Sequence, residues 1–240
     1  MIFAAGLGTR LRPLTNDRPK ALVEVGGRTM LEITLQRLRA FGVGEVVINT
    51  HHFADMIRDY LGARNNFGMR IEISPENVLL DTGGGLRKAA WFFLEGRRDE
   101  PFILHNVDVI SNIDLARMVR FHMDQGALAT LAVQARATAR PLLFGQNGLF
   151  CGRAGQGILT IQPDRPALAF SGIHVISPRI FEKITEAGVF SIIDSYVRLA
   201  GEGEKIVGFR ADEYDWRDLG RPENIEQAAR DLESGTLSLP

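Results

Sequence analysis

One cysteine in 240 residues, Cys151, leaves no internal disulfide to form. That disfavours a disulfide-stapled secreted fold, a thiolate metal site and a cysteine nucleophile. A half-buried core thiol in a reducing compartment is expected instead. An excess of either charge is also missing, with a formal net charge of −1 and a pI near 6.5. A nucleic-acid partner would need a strongly basic face, so any handling of phosphate must be local. There is no run of 18 apolar residues and no basic, apolar, small-residue leader, so no membrane partner is expected and a cytoplasmic protein follows. Internal repeats, low-complexity tracts and flexible linkers are absent as well. What is present in quantity is apolar material, at 45% of residues enough for one large core or two unequal lobes.

That material is laid out in alternation. Residues 1–5 read as a strand. Leu31, Leu35 and Leu38 share a helical face that Gly42 can stop. EVVINT at 45–50 is a buried strand, and Phe53, Met56, Ile57, Tyr60 and Leu61 mark a second helix. RIEIS at 70–74 alternates like a strand. Leu86, Ala89, Ala90, Phe93 and Leu94 mark a third helix, PFILHN at 101–106 a fourth strand, residues 115–125 a helix, and ALATLAVQ a further strand. Such a run predicts an α/β fold, a Rossmann-like three-layer sandwich with a mostly parallel mixed sheet covered by helices on both faces. After about residue 136 short strands at 142–145, 149–152, 158–162 and 168–176 lie between Gly, Asn and Pro turns, and predict a small antiparallel insertion. Helices near 177–186, 191–202 and 222–234 and strands near 204–210 and 213–217 complete the chain. The expected organisation is one domain over 1–240, with a core of about 1–135 and 204–240 and a smaller lobe of about 136–203.

Chemistry concentrates in FAAGLGTRLRPLTNDRPKALVEVGG, residues 3–27. Gly6 and Gly8 let backbone N–H groups approach a ligand closely, and consecutive N–H groups form a concave anion site. Arg10 adds a forked cation and Lys20 a compact one. Two familiar glycine loops do not fit. The dinucleotide fingerprint G-x-G-x-x-G has Leu11 at its third glycine, and no lysine follows in P-loop register. Read alone, AAGLGTRL is also compatible with an ordinary strand-to-loop turn carrying solvated basic residues. Two aspartates stand out at a distance. Asp108 in LHNVDV sits just past a buried strand, where a carboxylate is expensive without a facing cation. Asp218 in YDWRDLGRPENI precedes a glycine and a proline-started helix; capping is the plain alternative for both.

These segments together resemble the sugar-1-phosphate nucleotidyltransferases. Their signature, G-x-G-T-R-(L/M)-x-P-(L/M)-T followed by P-K-x-(L/M), reads here as GLGTRLRPLT and PKAL, with departures at Ala5 and at Arg28-Thr29. The variant AAGLGTRLRPLT with RPKALVEV is similar to the branch that joins UTP to N-acetylmuramate 1-phosphate in bacterial wall recycling. The resemblance runs the length of the chain and implies a GT-A-like nucleotidyltransferase fold with the 136–203 lobe on the sugar side. It also implies that one or two residues found before the first strand in relatives are missing, and that the repeating tail of relatives with a left-handed hexapeptide β-helix is missing too, the sequence ending at Pro240. By the same resemblance, Arg10 and Lys20 are catalytic, and Ala5, Gly6, Gly8 and Thr9 bind the nucleotide. Glu76, Thr82, Gly83 and Gly84 in SPENVLLDTGGGLRKA fall on the base-binding stretch, and Asn106 and Gly172 (in FSGIHV) on the sugar side; a flexible turn opening a helix is the plain alternative for the three glycines, and an ordinary strand glycine that for Gly172. Asp108 and Asp218 match the ligands of Mg²⁺, the implied cofactor, with Val107 standing where many relatives have glycine. The partners implied are a nucleoside triphosphate, UTP first, and a sugar 1-phosphate, handled by a monomer or homodimer. GTP with mannose or heptose 1-phosphate, dTTP with glucose 1-phosphate, a phosphocholine-type cytidylyltransferase and a non-catalytic nucleotide-sugar-binding subunit remain open.

Other polar residues read as structural. His51-His52 suits a helix entry, since adjacent side chains point apart. His105 and His174 suit satisfied core positions, and Trp216 suits packing. Asp212, Glu213 and Asp215 suit a solvated hairpin, with Asp215 also within reach of a metal role.

Overall fold

The computed structural model describes residues 1–95, 99–154 and 166–237. In chain order these form β1 (Ile2–Phe3), β2 (Glu24–Val25), β3 (Arg28–Thr29), α1 (Met30–Ala40), β4 (Glu45–Thr50), α2 (Ala54–Gly62), β5 (Arg70–Pro75), α3 (Asp81–Lys88) and α4 (Ala90–Leu94). They continue with β6 (Phe102–Asn106), β7 (Val109–Ser111), α5 (Leu115–Gln125), β8 (Ala129–Gln134), β9 (Leu142–Phe144), β10 (Phe150–Arg153) and β11 (Ala167–Ile176). Last come α6 (Ile180–Lys183), α7 (Ile192–Gly201), β12 (Ile206–Arg210), β13 (Trp216–Asp218) and α8 (Pro222–Glu233). The strand expected at 158–162 lies outside the described residues.

The chain packs as two compact units that interleave along the sequence. The first takes Met1–Leu79, His105–Ile113 and the chain from Tyr214 onward; the second takes Leu80–Leu104 and Asp114–Glu213.

In the first unit β1 lies between the end of β6 and β4, and β4 pairs with β5, all parallel. The register sets Phe3 opposite Asn49 and Asn106. The strands therefore end together, and the chain leaves them at Ala4, Thr50, Glu76 and Val107 on one edge, the edge where parallel sheets bind ligands. The residues explain the elements. β4 is buried from Val46 to Thr50, as a strand covered on both faces must be. Helix α1 starts where Thr29 accepts from the Glu32 N–H at 3.1 Å, and it ends where Gly42 adopts φ 83° and Val43 N–H returns to Leu38. β7 and β13 form a separate antiparallel ribbon, and Leu219, Gly220 and Arg221 link it to the proline at the first position of α8.

In the second unit the strand order is β10-β9-β11-β8-β12, antiparallel except for the parallel β8–β12 pair. The expected antiparallel strands are thus present in β9, β10 and β11. Helix α5 is capped by Asp114 at one end and by Gly126, φ 56°, at the other. Two helices differ from expectation. α3 begins at Asp81, because the three glycines are helical, and the chain breaks at Ala89 before α4; α6 covers four residues only. No helix among the described residues is long and apolar enough to cross a membrane.

Candidate active site

The glycine loop leaves β1 with its first amide fixed, since Ala4 N–H donates to Asn49 Oδ1 at 2.8 Å. Ala5 is buried beneath the loop. Gly8 has φ +63°, and a Cβ there would stand 2.9 Å from Thr15 Cγ2 and 3.1 Å from Lys20 Cβ. Glycine is required at that position by backbone and by packing together. Gly6 has neither demand: nothing lies within 4 Å of its would-be Cβ and the residue is exposed. Its bare backbone faces open space, as a ligand-contacting glycine does. Thr9 and Arg10 follow in a single 3-10 turn anchored by fully buried Leu11, which leaves both side chains exposed.

Lys20 opens a second 3-10 turn just after Pro19 and is only 9% exposed. Its ammonium pairs with the Asp108 carboxylate, the facing cation that a buried strand end requires. Asp108 immediately precedes β7, and Asp218 ends β13. The ribbon joins them, Asp218 lying opposite Val109 and Leu219 N–H donating to the Asp108 carbonyl at 2.8 Å. Asp218 Oδ1 also accepts from Gly220 N–H at 2.8 Å.

Gly220 shows where Arg10 goes. A Cβ on it would stand 2.8 Å from Arg10 Nη2 and 2.9 Å from Asp218 Oδ1. The guanidinium of the first loop and the carboxylate of the last strand therefore both border one bare backbone position, without an ion pair between them. Arg10, Lys20, Asp108 and Asp218, read from four separate stretches of sequence, are gathered into one constellation.

Two carboxylates on one ribbon, both half-buried, suit a small divalent cation that keeps waters or phosphate oxygens in its shell. They do not form a closed protein cage: among the described residues no cluster of three or more His, Cys, Asp or Glu is placed to hold a metal. Asp215 does not extend the pair. Its carboxylate accepts from Asn112 Nδ2 at 3.0 Å and its N–H donates to Asn112 Oδ1 at 2.7 Å, closing the ribbon. Val107 is buried, and its N–H continues the β6–β1 pairing to Phe3.

Glu76 is buried just beyond β5 and held three times by the end of β4. Its N–H donates to Thr50 O at 2.7 Å, its carbonyl accepts from His51 Nδ1 at 2.7 Å, and its carboxylate accepts from Asn49 Nδ2 at 2.8 Å. Asn106 ends β6, half-buried, and its carbonyl accepts from His105 Nδ1 at 2.8 Å. That leaves His105 Nε2 to accept from Arg37 Nη1 at 3.0 Å, while Arg37 Nη2 donates to the Ile113 carbonyl at 2.6 Å. Burial pushes the Arg37 guanidinium down to about 10. Arg37 thus braces the strand that leads to Asp108 and the segment that follows β7.

In the second unit Thr82 Oγ1 accepts from Ile192 N–H at 3.0 Å, and Gly83 and Gly84 N–H both donate to the Phe190 carbonyl. A Cβ on Gly83 would fall 2.3 Å from the Phe190 ring, and one on Gly84 2.3 Å from the Gly188 carbonyl. The protein itself therefore demands glycine at both positions. Gly172, φ +74°, sits where the β11–β8 register slips between Phe170 and His174, so it is a bulge residue. His105 and His174 are satisfied core histidines, as expected: His174 is 1% exposed and shares a 3.1 Å hydrogen bond with the Tyr196 hydroxyl. Cys151 is a free, half-buried thiol.

Sequence reasoning missed Asn49 and Arg37 as supports and Gly220 as the point of convergence. Asn49 carried a signal, an amide in an otherwise apolar buried strand. Gly220 carried one in its position beside Asp218.

The nucleotidyl transferase family profile matches residues 1–235, and the chain belongs to that family. An N-acetylmuramate alpha-1-phosphate uridylyltransferase from Caulobacter vibrioides is 36% identical over 233 residues, 93% of this chain and 92% of the relative. A UTP–glucose-1-phosphate uridylyltransferase from Synechocystis is 28% identical, and a mannose-1-phosphate guanylyltransferase from Mycobacterium tuberculosis 29%; this chain spans 62% and 66% of their lengths. Among solved structures, a UDP-glucose pyrophosphorylase from Acinetobacter baumanii matches with a TM-score of 0.80 at 18% identity, covering 98% of this chain and 94% of that one. HddC from Yersinia pseudotuberculosis, complexed with GMP-PN, matches at 0.77 and 22%, covering 96% and 97%. The fold is the Rossmann-like α/β fold of these nucleotidyltransferases.

Proposed function

We propose that this chain couples a nucleoside triphosphate to a sugar 1-phosphate, giving a nucleoside diphosphate sugar and pyrophosphate, with UTP and N-acetylmuramate 1-phosphate as substrates. The observation that carries the reaction class is the meeting of Arg10 and Asp218 over Gly220, on the same ribbon and loops as the Lys20–Asp108 pair. The substrate pair is supported by the Caulobacter relative, matched over nearly the whole of both chains.

A sugar 1-phosphate oxygen attacks the α-phosphorus of the triphosphate, and the α–β bridging oxygen leaves with pyrophosphate. The attacking phosphate is already ionised near neutral pH, so no general base is needed. The barrier lies in bringing two anions together and neutralising the leaving group, work done by positioning and fixed charge. Gly6 and Gly8 present loop amides to the triphosphate, with Ala5 and Thr9 at their sides. Arg10 stabilises the departing pyrophosphate, and Lys20 neutralises the incoming phosphate. Asp108 and Asp218 would hold Mg²⁺, which when bound supplies charge neutralisation at the phosphate oxygens. In the base and sugar roles we place Glu76, Thr82, Gly83 and Gly84, and Asn106 and Gly172.

Pyrophosphate release measured across UTP, GTP, dTTP and CTP, each with N-acetylmuramate, mannose and glucose 1-phosphate, tests the reading. Highest kcat/KM for UTP with N-acetylmuramate 1-phosphate is expected. Preference for another pair moves the substrate assignment, and no release with any pair removes the reaction.

A further inference from the structure

We infer that Lys20 is the counter-ion that holds the Asp108 carboxylate until a divalent cation displaces it, so that metal binding frees Lys20 for the phosphate. The inference rests on the nucleotidyl transfer reading and adds to it a coupling between cation and phosphate binding.

The two groups are paired and largely shielded, with side chains 11% and 22% exposed. The proposed reaction asks each for a different partner, Asp108 for the cation and Lys20 for a phosphate dianion. Neither exchange is favourable alone. A phosphate drawing Lys20 away leaves a half-buried carboxylate bare, and a cation taking Asp108 strands a nearly buried ammonium, each costly. Made together, every charge keeps a partner. The backbone allows it: Lys20 Cβ packs against the loop at Gly8, only 3.1 Å from the position a Cβ there would take, and three further flexible methylene carbons carry the ammonium beyond it. The Asp108 carbonyl, held by Leu219 N–H, keeps the carboxylate's own backbone in place. Cation and phosphate should therefore tighten each other's binding, reciprocally. Arg10 differs in kind, being exposed and making no ion pair or hydrogen bond to either carboxylate among the described residues.

Mn²⁺ alone, titrated by the EPR signal of the free ion, reads the competition without substrate or turnover. Lys20→Met should tighten Mn²⁺ about tenfold or more, the loss of a charged hydrogen bond that had to be broken. Arg10→Met should change it by roughly threefold or less, since an exposed cation is screened. No tightening in a folded Lys20→Met, judged by its Tm, or equal tightening by Arg10→Met, overturns the inference. Should Lys20→Met not fold, metal-free binding of inorganic phosphate by ³¹P NMR decides, with Asp108→Asn expected to bind about tenfold tighter than wild type; unchanged affinity overturns it. An active wild type with flat Mn²⁺ titrations defeats only the exchange. A wild type that releases no pyrophosphate defeats the functional reading itself.

Discussion

Replacing Gly220 with alanine adds one methyl group between Arg10 and Asp218. Its backbone is outside the left-handed region, so alanine is conformationally allowed and the effect is steric alone. The new carbon would stand 2.8 Å from Arg10 Nη2, 3.3 Å from Arg10 Cζ and 2.9 Å from Asp218 Oδ1, all inside the ordinary contact range that begins at 3.4 Å. Asp218 Oδ1 is tethered to the same residue by the Gly220 N–H, so the guanidinium is the group free to retreat. It is the far end of an exposed, flexible side chain, and its shift by about half an ångström or more costs under about 1 kcal/mol of stability. Catalysis is less tolerant, because a misplacement near 1 Å costs on the order of 10²-fold in rate. Gly220→Ala should therefore lose about a hundredfold in kcat while its Tm stays within a few degrees of wild type. Pyrophosphate release and thermal unfolding on the same preparation provide both numbers. Turnover within a few-fold of wild type would show that Arg10 and Asp218 do not act together at this point. A collapse in stability would show that Gly220 serves the fold instead.

Other expectations follow from the same contacts. Asn49→Leu takes the acceptor from buried Ala4 N–H and a donor from the Glu76 carboxylate, and should cost roughly 2–3 kcal/mol in urea unfolding; a loss under about 0.5 kcal/mol would mean the clamp is idle. Gly83→Ala drives a methyl into the Phe190 ring and its carbonyl, and a Tm drop of several degrees is expected, whereas an unchanged Tm would free this glycine for a role outside packing. Burial lowers His174 to about 3 against an ordinary value near 6.5, so as pH falls through this interval the unfolded chain takes a proton that the folded chain refuses. Stability contributed by this residue is complete above about pH 6.5 and is lost at about 1.4 kcal/mol per unit below it, roughly 2 kcal/mol by pH 5. His174→Gln should flatten that part of the stability–pH curve, and an unchanged slope would assign the acid loss to other groups.

Much of the fold was legible because burial writes itself into the sequence. EVVINT and residues 115–125 show their strand and helix with the observed limits, the first by its β-branched apolar centre Val46-Val47-Ile48 and the second as a periodic face between Asp114 and Gly126. The first turn of α3 was not legible, since Gly83, Gly84 and Gly85 are poor helix formers by themselves. Gly83 and Gly84 are held in that turn by hydrogen bonds to the Phe190 carbonyl, with Phe190 and Gly188 packed where side chains would stand, and those partners are about a hundred residues away. The β7–β13 ribbon was hidden for a similar reason, being two three-residue strands paired across more than a hundred positions. At the site, the charged residues announced themselves by type and motif. The groups that aim them did not: Arg37 looks like any surface arginine of a helix until its burial against His105 is seen.

A double-mutant cycle on kcat between Arg10 and Asp218 tests most directly whether these residues form one working crevice. With Mg²⁺ and the preferred substrate pair, Arg10→Ala and Asp218→Ala should each lose roughly a hundredfold. The double variant should lose scarcely more than either, because groups acting as a unit fail together. Losses that multiply in full, or near-normal turnover in either single variant, would contradict the account.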